Sequence, residues 1–403
     1  MKIIGLLITL FLFNIKIFSQ HQDIQLLKAI SLTENRQFDD ALKIYVSISL
    51  KYKSNYLYFQ SFGNYYFKTK KYDNAILCYL KVDSIRKNTI SLKISECYGF
   101  LNDTHNCIFW LQKYLLQSDK TNEFVIASDS AFSNMIKTQE WKTLWVKNWY
   151  SDQEVVKNTV ISLIKRNMYE KALEELEKYE KKYIPKHQFY GFQAKILAHL
   201  GQFNPALYSI EKALSLNNRN DEYFIIHAEI YHSIFKYKNA VKEISEAIKI
   251  NPYNSDYYLL RATSAIQTDE LTVASADMSL LNEMYPEKPE VIHQLALLEM
   301  KKARYQSSLS YYDLLIEKIH SEASYYMERG EVEMKIDRFV QADEDFGMAL
   351  DINPKLTQAY LLKGKAQLQL GNSADACNNF QIAKKLGSSE AANLSYKNCP
   401  HND

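Results

Sequence analysis

Apolar residues return every three or four positions along most of this 403-residue chain, which is the spacing of one buried helix face. A longer period of 34 residues overlies this pattern and is clearest in residues 323–356. In that unit the small residues Gly330 and Ala342 stand at positions 8 and 20, and Phe346 follows four residues after Ala342. The pattern predicts two amphipathic helices that cross at the small residues. Pro354 ends the second helix because it cannot donate a backbone hydrogen bond.

The same unit repeats without insertion or deletion through the C-terminal part of the chain. A small residue recurs at position 20, from Ala172 in the first of these units to Ala376 in the last. Two clear units precede them, and a weaker third unit has Cys107 where alanine is usual. The predicted repeats begin at Gln22, Tyr56, Asn88, Gln153, His187, Asp221, Ser255, Pro289, Ala323 and Thr357.

This spacing of small, aromatic and proline positions resembles that of the tetratricopeptide repeat family. The resemblance implies an all-α fold, a right-handed superhelical solenoid of about ten helix–turn–helix repeats whose stacked neighbours form a continuous core. We expect a signal peptide at 1–19, an N-terminal block of three repeats at 20–121 and a Trp-containing helical insert at 122–152. Seven repeats at 153–390 and a capping helix with a tail at 391–403 complete the predicted organisation.

The resemblance also implies a binding surface, because the first helix of each repeat lines the concave groove in this family. The residues carried onto these positions mix apolar and polar side chains, which suits an extended peptide or a helix of a partner protein. An alternative interpretation assigns several of them to the core between helices. The predicted groove residues are Phe192, Lys195, His199, Ile225, Glu229, His232, Leu259, Thr263, Gln267, His293, Leu297, Lys301, Met327, Glu331, Lys335, Leu361 and Lys365.

The insert contains three tryptophans spaced four residues apart, Trp141, Trp145 and Trp149. That spacing predicts one stripe along a helix. The stripe either packs the break between the two blocks of repeats or exposes an aromatic anchor for a partner.

Charged residues at positions 7 and 23 of the repeat change together from unit to unit. This covariation within the chain predicts an ion pair between the two helices of a repeat, which would hold them in register. The predicted pairs are Arg261 with Asp277, Arg329 with Asp345, and His227 with Glu243.

The first 19 residues have the pattern of a secretory signal peptide. Lys2 precedes an eleven-residue apolar run that is too short to span a membrane, and cleavage is expected after Ser19. An uncleaved anchor is the alternative. Once Lys2 and Lys16 are removed, 47 basic and 47 acidic residues remain, so the chain offers little electrostatic reason to bind nucleic acid. We expect an exported bacterial protein, periplasmic or secreted, without a transmembrane span in its mature part.

Two of the five cysteines lie near the C-terminus. Cys377 and Cys399 resemble a pair found at the ends of secreted bacterial tetratricopeptide repeat proteins, which implies a disulfide in an oxidising compartment. Two buried free thiols are the alternative. The pairing of Cys78, Cys97 and Cys107 stays open.

Motifs of known catalytic or cofactor sites are missing from the sequence. It contains no glycine-rich phosphate loop, no Gly-x-Ser-x-Gly elbow and no His-Glu-x-x-His, and its nine histidines are dispersed. We therefore expect no catalytic residue, metal or cofactor. The lysine and asparagine set with which some family members grip a chain-terminal carboxylate is also missing, since Ile161 follows Lys157 where asparagine is required. We predict a non-catalytic scaffold that binds a protein or peptide in an envelope complex. The alternative is an enzyme, or a domain that regulates one, with a peptide or glycan substrate in the groove.

Overall fold

The structure, a computed structural model, describes residues 24–118, 120–178 and 185–399. The predicted signal peptide at 1–19 lies outside these residues. Throughout the described ranges the secondary structure is helical, without a strand, and most helices pack against the next helix in chain order. None of these helices combines the length and apolar character needed to cross a membrane.

Three helix pairs precede the insert, as the repeat pattern predicts. The third pair forms although Cys107 replaces the usual alanine, and its thiol is fully buried between the helices. The helices are α1 (24–34), α2 (Phe38–Ile48), α3 (Tyr56–Lys68), α4 (Tyr72–Ile85), α5 (Ser91–Phe100) and α6 (Thr104–Leu115).

Seven more helix pairs follow the insert, and their first helices begin within one residue of the predicted unit starts. We call the first helix of a pair helix A and the second helix B. The pairs are α9 (Asp152–Lys165) with α10 (Tyr169–Lys178), α11 (Lys186–His199) with α12 (Phe203–Leu216), α13 (Asp221–Ser233) with α14 (Tyr237–Ile250), α15 (Ser255–Gln267) with α16 (Leu271–Met284), α17 (Pro289–Lys301) with α18 (Tyr305–Lys318), α19 (Ala323–Lys335) with α20 (Phe339–Ile352), and α21 (Thr357–Gln369) with α22 (Ser373–Lys385).

The helices of a pair approach closely because small residues stand where they cross. Ala342 is fully buried. A β-carbon added to Gly330 would lie 2.8 Å from the Phe346 ring, so only glycine lets that ring lie against helix A. The small positions read from the sequence are therefore the contact points of the fold.

The turn between helix A and helix B has the same backbone geometry in all ten pairs. The residue at position 15 is left-handed, with φ between +56° and +82°, although its side chain varies widely. Phe235 and Ala303 adopt this conformation as well as Gly201 and Gly371. A β-carbon disfavours the left-handed region, so the packing of the two helices sets this turn rather than local preference.

The insert does not form the single helix that its tryptophan spacing predicts. Helix α8 (Gln139–Leu144) ends at Trp145, and the chain then folds back so that the Trp149 indole N–H donates to the Leu144 carbonyl at 2.8 Å. The prediction of one helical stripe is therefore wrong. Two 3-10 turns (Ser130–Phe132 and Met135–Lys137) and helix α7 (Glu123–Ala127) complete the insert.

The three tryptophans lie in one hydrophobic cluster with α6. Trp141 is only 5% exposed, while Trp145 and Trp149 are half-buried against the same cluster. This packing favours the interpretation in which the tryptophans fill the break between the two blocks of repeats.

Two of the predicted ion pairs form with full bidentate geometry. The Arg261 Nε and Nη2 donate to the two carboxylate oxygens of Asp277, each at 2.7 Å, and Arg329 binds Asp345 in the same way. Arg329 also donates to Asp313 on the preceding helix B, at 2.7 Å. This last contact joins neighbouring repeats and was not predicted.

The third predicted pair is weaker. The His227 Nδ1 lies 3.3 Å from the Glu243 Oε2, but neither ring nitrogen of this buried histidine makes a hydrogen bond among the described residues. The contact brings the two helices together without the directional bonds that arginine supplies.

The last repeat is closed by a capping helix, α23 (Ser389–Asn398). A disulfide joins Cys377 of α22 to Cys399, the pair that the resemblance implied, with the two α-carbons 5.6 Å apart. Cys78, Cys97 and Cys107 are free thiols. The bond fixes the cap to the last helix pair, where Ala391 and Cys399 pack with Leu361 and Phe380.

The helices form two compact units, divided between Tyr257 and Tyr258 within α15. We call them the N-terminal unit and the C-terminal unit. The N-terminal unit contains the insert and six of the helix pairs, and the C-terminal unit contains the disulfide.

Candidate functional site

The first helix after the insert, α9, is held firmly at its N-terminal end. Ser151 and Glu154 form a reciprocal capping box, and the Glu154 carboxylate pairs with the buried Lys120 amino group. The Asn158 amide donates to the Lys120 carbonyl at 3.2 Å, and the Tyr150 hydroxyl donates to the Thr121 carbonyl at 2.7 Å. The insert thereby fixes one side of α9 and leaves its other side to face α11.

A cleft of about 400 Å³ lies between three successive helices A of the N-terminal unit, α9, α11 and α13. Ile161 and Ile164 of α9, Phe192 of α11 and Ile226 of α13 give it an apolar lining. The positions of these residues in the repeat are those expected to face a ligand. Because stacked helices form the cleft, its walls are fixed before anything binds.

An aromatic ring on the lining of the cleft depends on a glycine. A β-carbon added to Gly191 would lie 2.6 Å from the Tyr223 ring, so the ring occupies space that any other residue would take. The Tyr223 hydroxyl and the His187 Nδ1 are 2.9 Å apart and hydrogen-bonded, which orients the ring. This part of the cleft is therefore rigid and aromatic.

Charged groups surround the apolar part of the cleft. Lys157 and Lys165 lie on α9, and Lys195 lies on α11. Among the described residues that line the cleft, Glu222 supplies the one carboxylate, and its Oε1 lies 3.4 Å from the Lys195 amino group. The lining thus combines apolar anchoring surface with an excess of positive charge.

Two groups beside the cleft have shifted pKa values. The pKa of Glu229 is raised because surrounding protein displaces water from its carboxyl, an effect that Lys195 opposes. The pKa of His199 is lowered, first by burial and then by the positive charge of Lys195.

The predicted groove residues are distributed unevenly. Phe192 and Lys195 line the cleft, and most of the others are half-buried or exposed on their helices. Leu361 is the exception, since it is 2% exposed and packs with Cys377 and Phe380 in the terminal core. Its assignment to the groove is wrong because α22 covers that side of α21.

The sequence-based list missed the α9 wall of the cleft. Lys157, Ile161, Ile164 and Lys165 stand at positions 5, 9, 12 and 13 of the unit that begins at Gln153. Predicted groove residues of the later repeats stand at the same positions, such as Ile225 at position 5 and Lys195 at position 9. The repeat position was therefore a signal from which the α9 residues could have been found.

In the C-terminal unit, several helix A side chains bind one another. The His293 Nε2 and a Glu328 carboxylate oxygen are 2.6 Å apart, which joins α17 to α19. The Lys365 amino group binds Glu390 of the capping segment at 2.6 Å. These predicted groove residues therefore already have partners within the protein.

Two parts of the chain match the family model of the tetratricopeptide repeat, residues 58–89 and 222–254. They are one repeat before the insert and one repeat after it, in register with the other helix pairs. Both segments are tetratricopeptide repeats. Repeats of this family generally form non-catalytic scaffolds that bind protein or peptide partners, so the tetratricopeptide fold supports an interaction scaffold here.

Solved structures share the helical architecture of this chain. A tetratricopeptide repeat protein from Parabacteroides merdae is similar with a TM-score of 0.52 at 18% identity, covering 60% of this chain and 97% of that one. A chain of the APC/C hetero-tetramer Cut9–Hcn1 is similar with a TM-score of 0.52 at 12% identity, covering 93% of this chain and 83% of that one. At these identities the similarity shows a common fold.

Proteins related in sequence match a smaller part of this chain than the solved structures do. DnaJ homolog subfamily C member 7 of Homo sapiens is 28% identical over 131 residues, which is 32% of this chain and 26% of that protein. The Mus musculus protein of the same name is 33% identical over 98 residues, 24% of this chain and 20% of that protein. The chain thus spans about a quarter or less of the length of these relatives.

Proposed function

We propose that this protein is a non-catalytic scaffold that binds a peptide or helix of a partner protein on its helix A faces, in an exported envelope complex. The observation that carries the proposal is the cleft between α9, α11 and α13. Its apolar centre and charged surroundings are the combination from which a peptide gains affinity and register.

Two features support an exported location. Residues 1–19 have the pattern of a signal peptide, and the disulfide between Cys377 and Cys399 is typical of oxidising compartments. N-terminal sequencing of the protein from periplasmic and secreted fractions tests this part of the proposal. We expect a chain that begins at Gln20; a chain that retains Met1 would contradict cleavage.

Site-specific photocrosslinking tests the binding part. We would place p-benzoylphenylalanine at position 161, inside the cleft, and in a matched protein at position 171, on the exposed side of α10. In envelope extract of the source organism we expect a discrete adduct from position 161 that is lost when Phe192→Asp is added.

Position 171 is the control that decides whether crosslinking is specific to the cleft. Equal adducts from positions 161 and 171, or an adduct that survives Phe192→Asp, would place the contact outside the cleft and contradict the proposal. Circular dichroism of each protein would verify that the helices remain folded.

A further inference from the structure

The first three repeats expose large apolar side chains on their helices B. These side chains stand at positions 22, 25 and 29 of the repeat, opposite to the buried side of each helix, where Tyr45 of α2 and Tyr79 of α4 are fully buried. We call this surface the outer B face. Its apolar residues, with exposed fractions between 37% and 78%, are Val46, Leu50, Leu77, Leu80, Phe109 and Leu116.

The same positions are polar or small in the later repeats. In the seven pairs after the insert, Tyr208 is the one large apolar residue among the twenty-one side chains at positions 22, 25 and 29. The equivalents in α18 are Ser310, Asp313 and Glu317. A single exposed leucine is ordinary, but six large apolar residues at equivalent places on three neighbouring pairs form a patch of the kind that marks an interaction surface.

Basic residues accompany the apolar residues of the outer B face. Residues 43–55, 77–89 and 109–118, which begin at position 22 of each repeat, contain seven Lys and Arg against one acidic residue, Asp83. Lys81, for example, follows Leu80 directly and is exposed. The part of each repeat that carries the exposed apolar residues therefore has a net positive charge.

One of these cations lies against the apolar surface itself. The Lys113 amino group is 4.8 Å from the centre of the Phe109 ring and 4.0 Å from the Trp110 ring. Lys43 instead pairs with Asp40 at the beginning of α2, in a contact that is exposed on both sides. A lysine stem can lie along apolar surface while its ammonium group reaches a polar environment. Apolar groups and cations thus occur together on this face.

We propose that the outer B face binds the surface of a lipid bilayer that contains anionic lipids. The apolar side chains enter the boundary between headgroups and acyl chains, and the lysines contact lipid phosphates. The apolar side chains project outward from three helices rather than enclose a cleft, and a fluid interface receives them without needing a complementary shape. This contact is separate from the cleft on the helix A faces and goes beyond the proposed function.

Flotation with lipid vesicles tests the proposal. The full chain, in the form that the cell processes, would be mixed with vesicles of equal parts phosphatidylcholine and phosphatidylglycerol, or with vesicles of phosphatidylcholine alone. We expect the protein to float with the anionic vesicles and to stay largely in solution with the neutral ones. Added salt should weaken binding to the anionic vesicles, because it screens the attraction of the lysines to phosphate.

Two pairs of variants assign the binding to the outer B face. Leu77→Glu combined with Leu116→Glu removes apolar contacts and should lower the partition into anionic vesicles about tenfold, whereas Met348→Glu changes an exposed apolar residue of α20 and should not. Lys81→Glu reverses a charge of the face and should also lower the partition about tenfold. Lys242→Glu makes the same change at position 22 of α14 and should leave it unchanged.

The other outcomes would overturn the proposal. Equal flotation of the unchanged protein and the Leu77→Glu, Leu116→Glu protein would assign membrane binding to another part of the chain, and no flotation with anionic vesicles would exclude a lipid surface. A dimer seen by light scattering that Leu77→Glu disrupts, without vesicle binding, would make the face an interface between two copies. Circular dichroism verifies folding, and crosslinking from position 161 should be unchanged in Leu77→Glu because the cleft is separate.

Discussion

The N-terminal and C-terminal units are built from the same 34-residue repeat, but their helix A faces differ in what they contact. In the C-terminal unit, His293 binds Glu328 and Lys365 binds Glu390, so these helix A side chains contact other residues of the same chain. In the N-terminal unit, the faces of α9, α11 and α13 enclose a cleft. A position that faces an open cleft in one repeat can thus have a partner within the protein in another, and position alone does not define a binding site.

The two units also differ in charge. Residues 1–257 carry an excess of basic side chains, whereas residues 258–403 contain 15 Lys and Arg against 21 Asp and Glu. The nearly neutral net charge of the whole chain is therefore the sum of a basic N-terminal unit and an acidic C-terminal unit. Binding and stability should therefore be measured separately for each unit.

The largest expected difference between the units concerns the pairs between helices A and B. Asp277→Ala would leave the Arg261 guanidinium, 19% exposed, without its bidentate partner, and should reduce the local free energy of unfolding by about 3 kcal/mol. Glu243→Ala should cost about 1 kcal/mol or less, because the 3.3 Å contact of Glu243 with His227 is not a directional hydrogen bond. Hydrogen exchange of α15 and α16, compared with α13 and α14, measures both. Equal losses of unfolding free energy in Asp277→Ala and Glu243→Ala would contradict the prediction that the arginine pair contributes more.

The second prediction concerns the C-terminal disulfide. Cys399→Ser removes a closed span of 22 residues and should destabilise α22 and α23 by about 3 kcal/mol. Cys78→Ser, which changes a free thiol of the N-terminal unit, is the control and should leave the cap unaffected. Faster exchange throughout the N-terminal unit after Cys399→Ser would show that the bond acts beyond the cap.

The third prediction is a dependence of stability on pH in the C-terminal unit. Burial raises the pKa of Glu333 from 4.5 to about 7, with further repulsion from Asp345. Between these values the folded chain holds a proton that the unfolded chain has lost, so stability falls as pH rises from about 4.5 to about 7. The fall should be on the order of 2 kcal/mol.

Glu333→Gln is the matched variant for this prediction. Between pH 4.5 and 7 its free energy of unfolding, measured with urea, should depend less on pH than that of the unchanged protein. A slope that persists in the variant would assign the effect to other carboxyls.

The smallest effect should be the same in both units. Phe235 and Ala303 have φ values of +59° and +56°, so replacing either with glycine relieves a disfavoured conformation and should stabilise the protein by about 0.5 kcal/mol. Phe235→Leu keeps the β-carbon and should give no gain. A gain in one unit alone would mean that the turns are strained differently, and thermal unfolding curves would detect it.

The repeat architecture could be predicted from the sequence because a few small residues determine it. Ala342 and its equivalents mark the crossing of each helix pair, and the helices follow in register. The backbone at position 15 could not be predicted, since residues as different as Phe235 and Gly371 share one conformation. Packing of the two helices overrides local preference there.

Elements outside the repeat were harder to predict. The spacing of Trp141, Trp145 and Trp149 fits a helix, yet the helix ends at Leu144, whose free carbonyl accepts a hydrogen bond from the Trp149 indole. A hydrogen bond between a side chain and a carbonyl that ends a helix leaves no periodic signal. The contact from Arg329 to Asp313 was missed for a related reason, since comparison within single units does not reveal which neighbour a side chain reaches.

Mechanical force gives the disulfide a further consequence. If the chain is pulled from its two ends, the 22-residue span between Cys377 and Cys399 stays closed and cannot extend. At about 3.4 Å per residue the fully stretched oxidised protein is shorter than the reduced protein by roughly 70 Å. The redox state of one bond therefore sets the maximum length to which this chain can be extended.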